Sequence, residues 1–153
     1  MENITSFVLE NGVFGVKITG IPRISVFKTF DCGQCFRFDP VSLFGNKYEV
    51  GGVAFGKYVV FAQNSESEII IYNATKEDYE KTWRSFLALD ADYDAIDSHI
   101  SKSLKSEHMD KAIECSRGIR ILRQDGWEAI CSFIISQNNN IPRIRKIIRN
   151  ICL

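Results

Sequence analysis

Along residues 1–74 the apolar positions follow the short period of strands. Phe14, Val16 and Ile18 alternate with Val13, Gly15 and Lys17, the spacing that puts successive side chains on opposite faces. Gly20 and Pro22 interrupt the pattern, and an apolar stretch over 26–38 is broken by Asp31, Cys32 and Gly33. Asp39-Pro40 and Gly45-Asn46 punctuate the next connection. Runs at 47–55, 57–63 and 68–72 follow, with a tight turn at Gly56 and a looser one through Asn64, Ser65, Glu66 and Ser67. This first part is therefore expected to be strands and turns throughout, an antiparallel meander with one face wet.

At Thr75 the period lengthens. Thr75 and Asp78 have the spacing of a capping box, and Tyr79, Trp83, Phe86 and Leu87 share one helical face. Further helices are expected over 93–104 and over 107–115, the latter stopped by Gly118. Asp125 and Glu128 open the next helix. Its body, Trp127 to Ile135, is apolar nearly all round, as a helix buried on every side would be. In the last helix Ile144, Ile147, Ile148 and Ile151 repeat at helical spacing, with Arg143, Arg145, Lys146 and Arg149 between them. Pro142 is tolerated in its first turn. The chain reaches Leu153 without a closing glycine or polar turn, so the fold is expected to continue beyond it. The class is α+β: an antiparallel sheet domain over 1–74, then a helical domain over 75–153.

Composition adds modestly to this picture. In 153 residues, 45% hydrophobic, there is ample material for a core. No apolar run approaches the ~18 residues a membrane helix needs, and the N-terminus has no signal-like pattern, which points to a soluble cytoplasmic protein. The five cysteines, Cys32, Cys35, Cys115, Cys131 and Cys152, are odd in number and sit in apolar surroundings, so reduced, buried thiols are expected. Net charge is zero, yet unevenly spread. Residues 1–116 hold 12 Lys and Arg against 17 Asp and Glu, and residues 117–153 hold 7 against 2. A basic end on an acidic body is a footprint of polyanion binding, although solvated faces also produce it.

Candidate chemistry is sparse. Cys32 and Cys35 form a CxxC pair, but no second pair or close His pair completes a zinc site, since His99 and His108 are too far apart. The residues after the pair read as strand, where a redox dithiol normally precedes a helix. Asp90, Asp92, Asp94 and Asp97 match no calcium loop. No metal or cofactor is expected. The informative stretch is Ser136-Gln137-Asn138-Asn139-Asn140-Ile141-Pro142-Arg143, a run of short amides where the greasiest helix meets the most basic one. Amides at a helix N-terminus suit phosphate and can both donate to and accept from a base edge. Read alone, the run is better explained as residues that merely cap and link two core helices.

Two separated motifs change that balance. Gly33-Gln34-Cys35-Phe36-Arg37-Phe38 and the run from Ser136 to Ile144 both resemble the 8-oxoguanine DNA glycosylase family, as does the intervening Gly118-Ile119-Arg120-Ile121-Leu122-Arg123-Gln124-Asp125. The resemblance covers nearly the whole chain in order and spacing. It implies a sheet domain like half of the TATA-binding protein, then the start of an all-α helix-hairpin-helix domain. It implies a monomer that removes oxidised guanine from duplex DNA by base flipping, with associated lyase activity. Such a protein would be nucleoid-associated in a bacterium or archaeon and nuclear in a eukaryote.

By the same resemblance Gly33 offers its carbonyl to N7 of the lesion, and Asn138 fills the gap left by the extruded nucleotide. Asn139 and Asn140 shape the turn and cap the next helix. Arg143 meets the orphaned cytosine or a phosphate, while Arg145, Lys146 and Arg149 are backbone contacts or a solvated face. The family's lysine nucleophile and its aspartate belong to segments after Leu153, so no catalytic residue is expected within these 153 residues. A non-catalytic DNA-binding fragment and a glycosylase for alkylated purines are the alternatives.

Overall fold

The computed structural model describes residues 2–152. Six strands form one antiparallel sheet: β1 (Asn3–Val8), β2 (Phe14–Thr19), β3 (Phe38–Pro40), β4 (Tyr48–Ala54), β5 (Lys57–Gln63) and β6 (Glu68–Tyr72). Their spatial order is β1-β2-β6-β5-β4-β3. The last strand thus enters beside the second, with Val16 opposite Ile71 and Ile18 opposite Ile69. Phe61 of β5 also faces Ile71. This register puts Val16, Ile18, Val59, Phe61, Ile69 and Ile71 on one fully buried face.

The opposite face is not wet, contrary to the strand pattern. Val60, Ala62, Ile70 and Tyr72 are buried there beneath Phe7, Val13, Val41 and Phe44. Phe44 stacks on Tyr72 at 3.8 Å between centroids, and Phe7 meets it edge-on at 5.5 Å. The loop that delivers Phe44 is wound around Glu49. Its carboxylate accepts from the amides of Leu43 (2.6 Å), Phe44 (3.1 Å) and Asn46 (2.8 Å) and from the Asn46 side chain. Burial opposes the charge of Glu49, but these donors outweigh it and hold the carboxyl below its ordinary range. Its stabilisation is therefore present above the unfolded value, about pH 4.3, and is lost as pH falls through the lower native one. Glu49→Gln should cost about 2 kcal/mol at neutral pH. In urea melts across pH, the gap to the parent should close below about pH 4.

Residues 26–31, expected to be extended, form helix α1 (Val26–Asp31). Ser25 caps it by accepting from the Lys28 amide at 3.2 Å, and Val26, Thr29 and Phe30 turn inward at helical spacing. Phe30 then packs on Phe38 and Phe61 at 4.9 and 5.3 Å. After β6, Thr75 and Asp78 make the capping box. The helix runs through α2 (Lys76–Asp78), a π-helical turn (Tyr79–Trp83) and α3 (Arg84–Phe86). Tyr79, Trp83, Phe86 and Leu87 complete the core beneath the sheet.

Helices α4 (Tyr93–Leu104) and α5 (Glu107–Ser116) form a hairpin without a buried residue, and His99 and His108 are exposed on it. Helix α6 (Gly126–Ser136) opens at Asp125, which accepts from the Glu128 amide at 3.0 Å. It is not buried on every side as its composition implies. Only Ser132 is buried, while Trp127 is 74% and Phe133 68% exposed. Burial needs a partner surface, and the described residues place none over this face. The last helix is α7 (Ile141–Ile151), anchored through Ile144 and Ile148.

All five cysteines are free. Only Cys35 meets the expectation of burial, and loss of water pushes its thiol up to about 11. Cys32, Cys115 and Cys152 are exposed and Cys131 is half-buried, because apolar neighbours in sequence need not be neighbours in space. Among the described residues no helix is long and apolar enough to cross a membrane.

Candidate nucleic-acid interface

The segment 118–124 has no regular structure, yet it is held along its length. Ser25 donates to the Gly118 carbonyl at 2.7 Å, and Arg123 to that of Phe86 at 2.9 Å. Between them Arg120, 2% exposed, donates to the carbonyls of Arg23, Ala88 and Ala91 and lies 4.4 Å over the Tyr93 ring. A buried guanidinium is tolerable only with such saturation of its donors. The result is a fixed strap lying against α1.

Gly33 sits just past α1 with φ +81°, a left-handed conformation that glycine adopts without strain. A Cβ built there would lie 3.6 Å from Cδ1 of Ile141, the first residue of α7. The two motifs, far apart in sequence, therefore touch. Among the described residues the Gly33 carbonyl accepts no hydrogen bond.

The turn between α6 and α7 divides the three asparagines by role. Asn140 caps α7, accepting from the Arg143 amide at 3.0 Å. Asn139 donates to the Ile135 carbonyl and accepts from the Asn140 amide, both at 3.2 Å. Asn138 takes the left-handed φ of +49°, which asparagine tolerates better than most residues. Its exposed side chain makes no hydrogen bond among the described residues. A shallow polar hollow of about 400 Å³ is lined by Ser136, Asn138, Asn139, Asn140 and Arg143.

The basic side chains of α7 separate likewise. Arg143 and Lys146 are exposed. Arg145, grouped with them by the sequence pattern, turns to the sheet instead. Its Nη1 lies 3.3 Å from Asp39 Oδ1, and Arg149 Nη2 lies 3.2 Å from Asp39 Oδ2. Asp39, on β3, thus fastens α7 to the sheet edge, as Arg37 with Glu128 (3.1 Å) fastens α6. Sequence reasoning missed Asp39, Gln34 and Gln124. The spacing of Arg145 and Arg149, one helical turn apart, was the only hint that one carboxylate would serve both. Among the described residues no group of three or more His, Cys, Asp or Glu is placed to hold a metal ion.

Residues 20–130 match the family described as 8-oxoguanine DNA glycosylase, N-terminal domain. An N-glycosylase/DNA lyase of Saccharomyces cerevisiae is 26% identical over 91% of this chain and 38% of its own length. The solved complex of MBOgg1 with a low-affinity DNA ligand superposes with a TM-score of 0.80 and 36% identity, covering 95% of this chain and 47% of that one. The Clostridium acetobutylicum 8-oxoguanine glycosylase/lyase, bound to duplex DNA with cytosine opposite 8-oxoguanine, gives 0.80 and 33%, over 94% and 45%. The chain thus spans less than half the length of these relatives.

Proposed function

The chain belongs to the 8-oxoguanine DNA glycosylase family, and on that premise we propose that it supplies the lesion-sensing and gap-filling parts of a base-excision repair enzyme. The observation that carries this reading is the unengaged Asn138 amide in a polar hollow, beside a turn whose Gly33 carbonyl is also free. N7 of guanine is an acceptor and is repelled by a carbonyl. Oxidation at C8 puts a proton on N7 and turns it into a donor, so Gly33 favours the lesion over the normal base by about 1–3 kcal/mol. Extrusion of the lesion leaves a cytosine without its partner, and the Asn138 amide both donates to it and accepts from it.

Arg143, at the rim of the hollow, contacts that cytosine or the adjoining phosphate. Lys146 neutralises backbone charge. Arg145 has the weaker claim to DNA because Asp39 already holds it. Asn139 and Asn140 act by fixing the turn. The substrate is duplex DNA carrying oxidised guanine, the working form is a monomer, and the protein acts at the nucleoid or in the nucleus. None of residues 1–153 is assigned the attack on the sugar; the part read here is the sensing of the lesion.

The test is excision on duplex with 8-oxoguanine opposite cytosine, with borohydride trapping of the sugar adduct. The full-length gene product should form the adduct and residues 1–153 alone should not. Asn138→Ala should lower kcat/KM about 10-fold or more in the full-length protein. Lys146→Ala should reduce the salt slope of DNA binding by about 0.9. Absence of excision by the full-length product, or efficient trapping by residues 1–153, overturns the reading.

A further inference from the structure

The side chain of Gln34 uses every hydrogen-bonding group it has. Nε2 donates to the carbonyls of Thr29 (2.9 Å) and Arg120 (2.7 Å) and approaches Cys32 Sγ at 3.3 Å. Oε1 accepts from the Leu122 amide at 2.9 Å. The Gln34 carbonyl is held in turn by Gln124 Nε2 at 2.6 Å. Five contacts to one residue, spread over α1 and the strap, exceed what a connecting loop needs for its own stability. They fix Gln34 and the peptide that follows it, and so hold the C-terminal end of the peptide whose carbonyl belongs to Gly33. Among the described residues that carbonyl accepts no hydrogen bond.

We propose that Gln34, assisted by Gln124, is a positioning residue for lesion discrimination: it aims the Gly33 carbonyl at the place where the N7 proton of the oxidised purine arrives. The inference rests on the functional reading above and extends it from the acceptor to the clamp that orients it. Glycine at φ +81° has wide freedom, so an unclamped carbonyl would swing and its preference for a donor would average away. The strap behind the clamp is itself fixed through Arg120, which gives the orientation a rigid reference.

The experiment compares two activities of the full-length gene product: excision of 8-oxoguanine opposite cytosine, and nicking at a preformed abasic site, which offers no base for Gly33 to read. Gln34→Leu removes the amide at nearly constant volume and should lower excision kcat/KM about 10- to 100-fold while nicking stays within about 2-fold. Gln124→Ala removes one bond on a half-buried side chain and should lower excision alone, by about 3-fold. A selective loss in either variant supports the clamp. Parallel loss of both activities in both variants, or no loss in either, overturns it. Failure of the parent to excise at all would instead overturn the functional reading beneath it.

Discussion

Phe61→Ala is expected to lower the unfolding free energy by about 3–5 kcal/mol. Phe61 is fully buried and is the hub of the aromatic core, with ring centroids 5.3 Å from Phe30, 5.7 Å from Phe38, 5.6 Å from Trp83 and 5.9 Å from Phe86. Its partners come from α1, β3, the π-helical turn and α3, so no single element can shift to refill the space. Phe133→Ala removes the same atoms from an exposed position and should change stability by less than about 0.5 kcal/mol. Urea denaturation of the two variants side by side checks both. Equal losses would mean that α6 is buried after all.

Gly52→Ala should cost about 3 kcal/mol, an unusual penalty for one methyl group. A Cβ there would lie 2.3 Å from the Arg37 carbonyl oxygen and 2.6 Å from the Phe38 ring, neither of which can rotate away. Gly52 faces Phe38 in the β3–β4 ladder, with Asp39 the next residue along. The clash therefore pushes on the strand that carries the anchor for Arg145 and Arg149, and α7 should loosen with it. Thermal melts should show the destabilisation, and a polyanion titration should show weakened binding at temperatures where the variant is still folded. At Gly51 the added carbon meets first the Tyr58 hydroxyl at 2.7 Å, the far end of a side chain. Gly51→Ala should cost about 1 kcal/mol, a contrast that isolates backbone crowding from crowding in general.

How far the chain could be read in advance depended on where its information lies. β5, β6 and α4 begin and end at the expected residues because their boundaries are set by local chemistry: Gly56, the Asn64–Ser67 turn residues, and Asp92, which accepts from the Ala95 amide. The Thr75–Asp78 box is local as well. By contrast α1 is six residues long, too short for an apolar run to display a helical period. Its decisive signal was Ser25, one residue before the run. The covered second face of the sheet depends on Phe44 arriving from a loop and on Phe7 reaching across from β1, which the pattern of the covered strands does not encode. In the site, the amide run and Gly33 stood out as residue types. That Asn139 and Asn140 would be spent on the turn while Asn138 stayed free is a matter of three-dimensional hydrogen bonding. The roles of Gln34 and Asp39 were illegible for the same reason, since their partners lie across the fold.

The left-handed backbone at Asn138 narrows what evolution can try there. Glycine would preserve the bend but bring no amide. Glutamine would keep the functional group yet strain the main chain and overshoot by a methylene. Aspartate fits the bend but loses the donor and adds repulsion toward a polyanion. On the role proposed for it, asparagine meets the demands of the bend and of the amide with one short side chain.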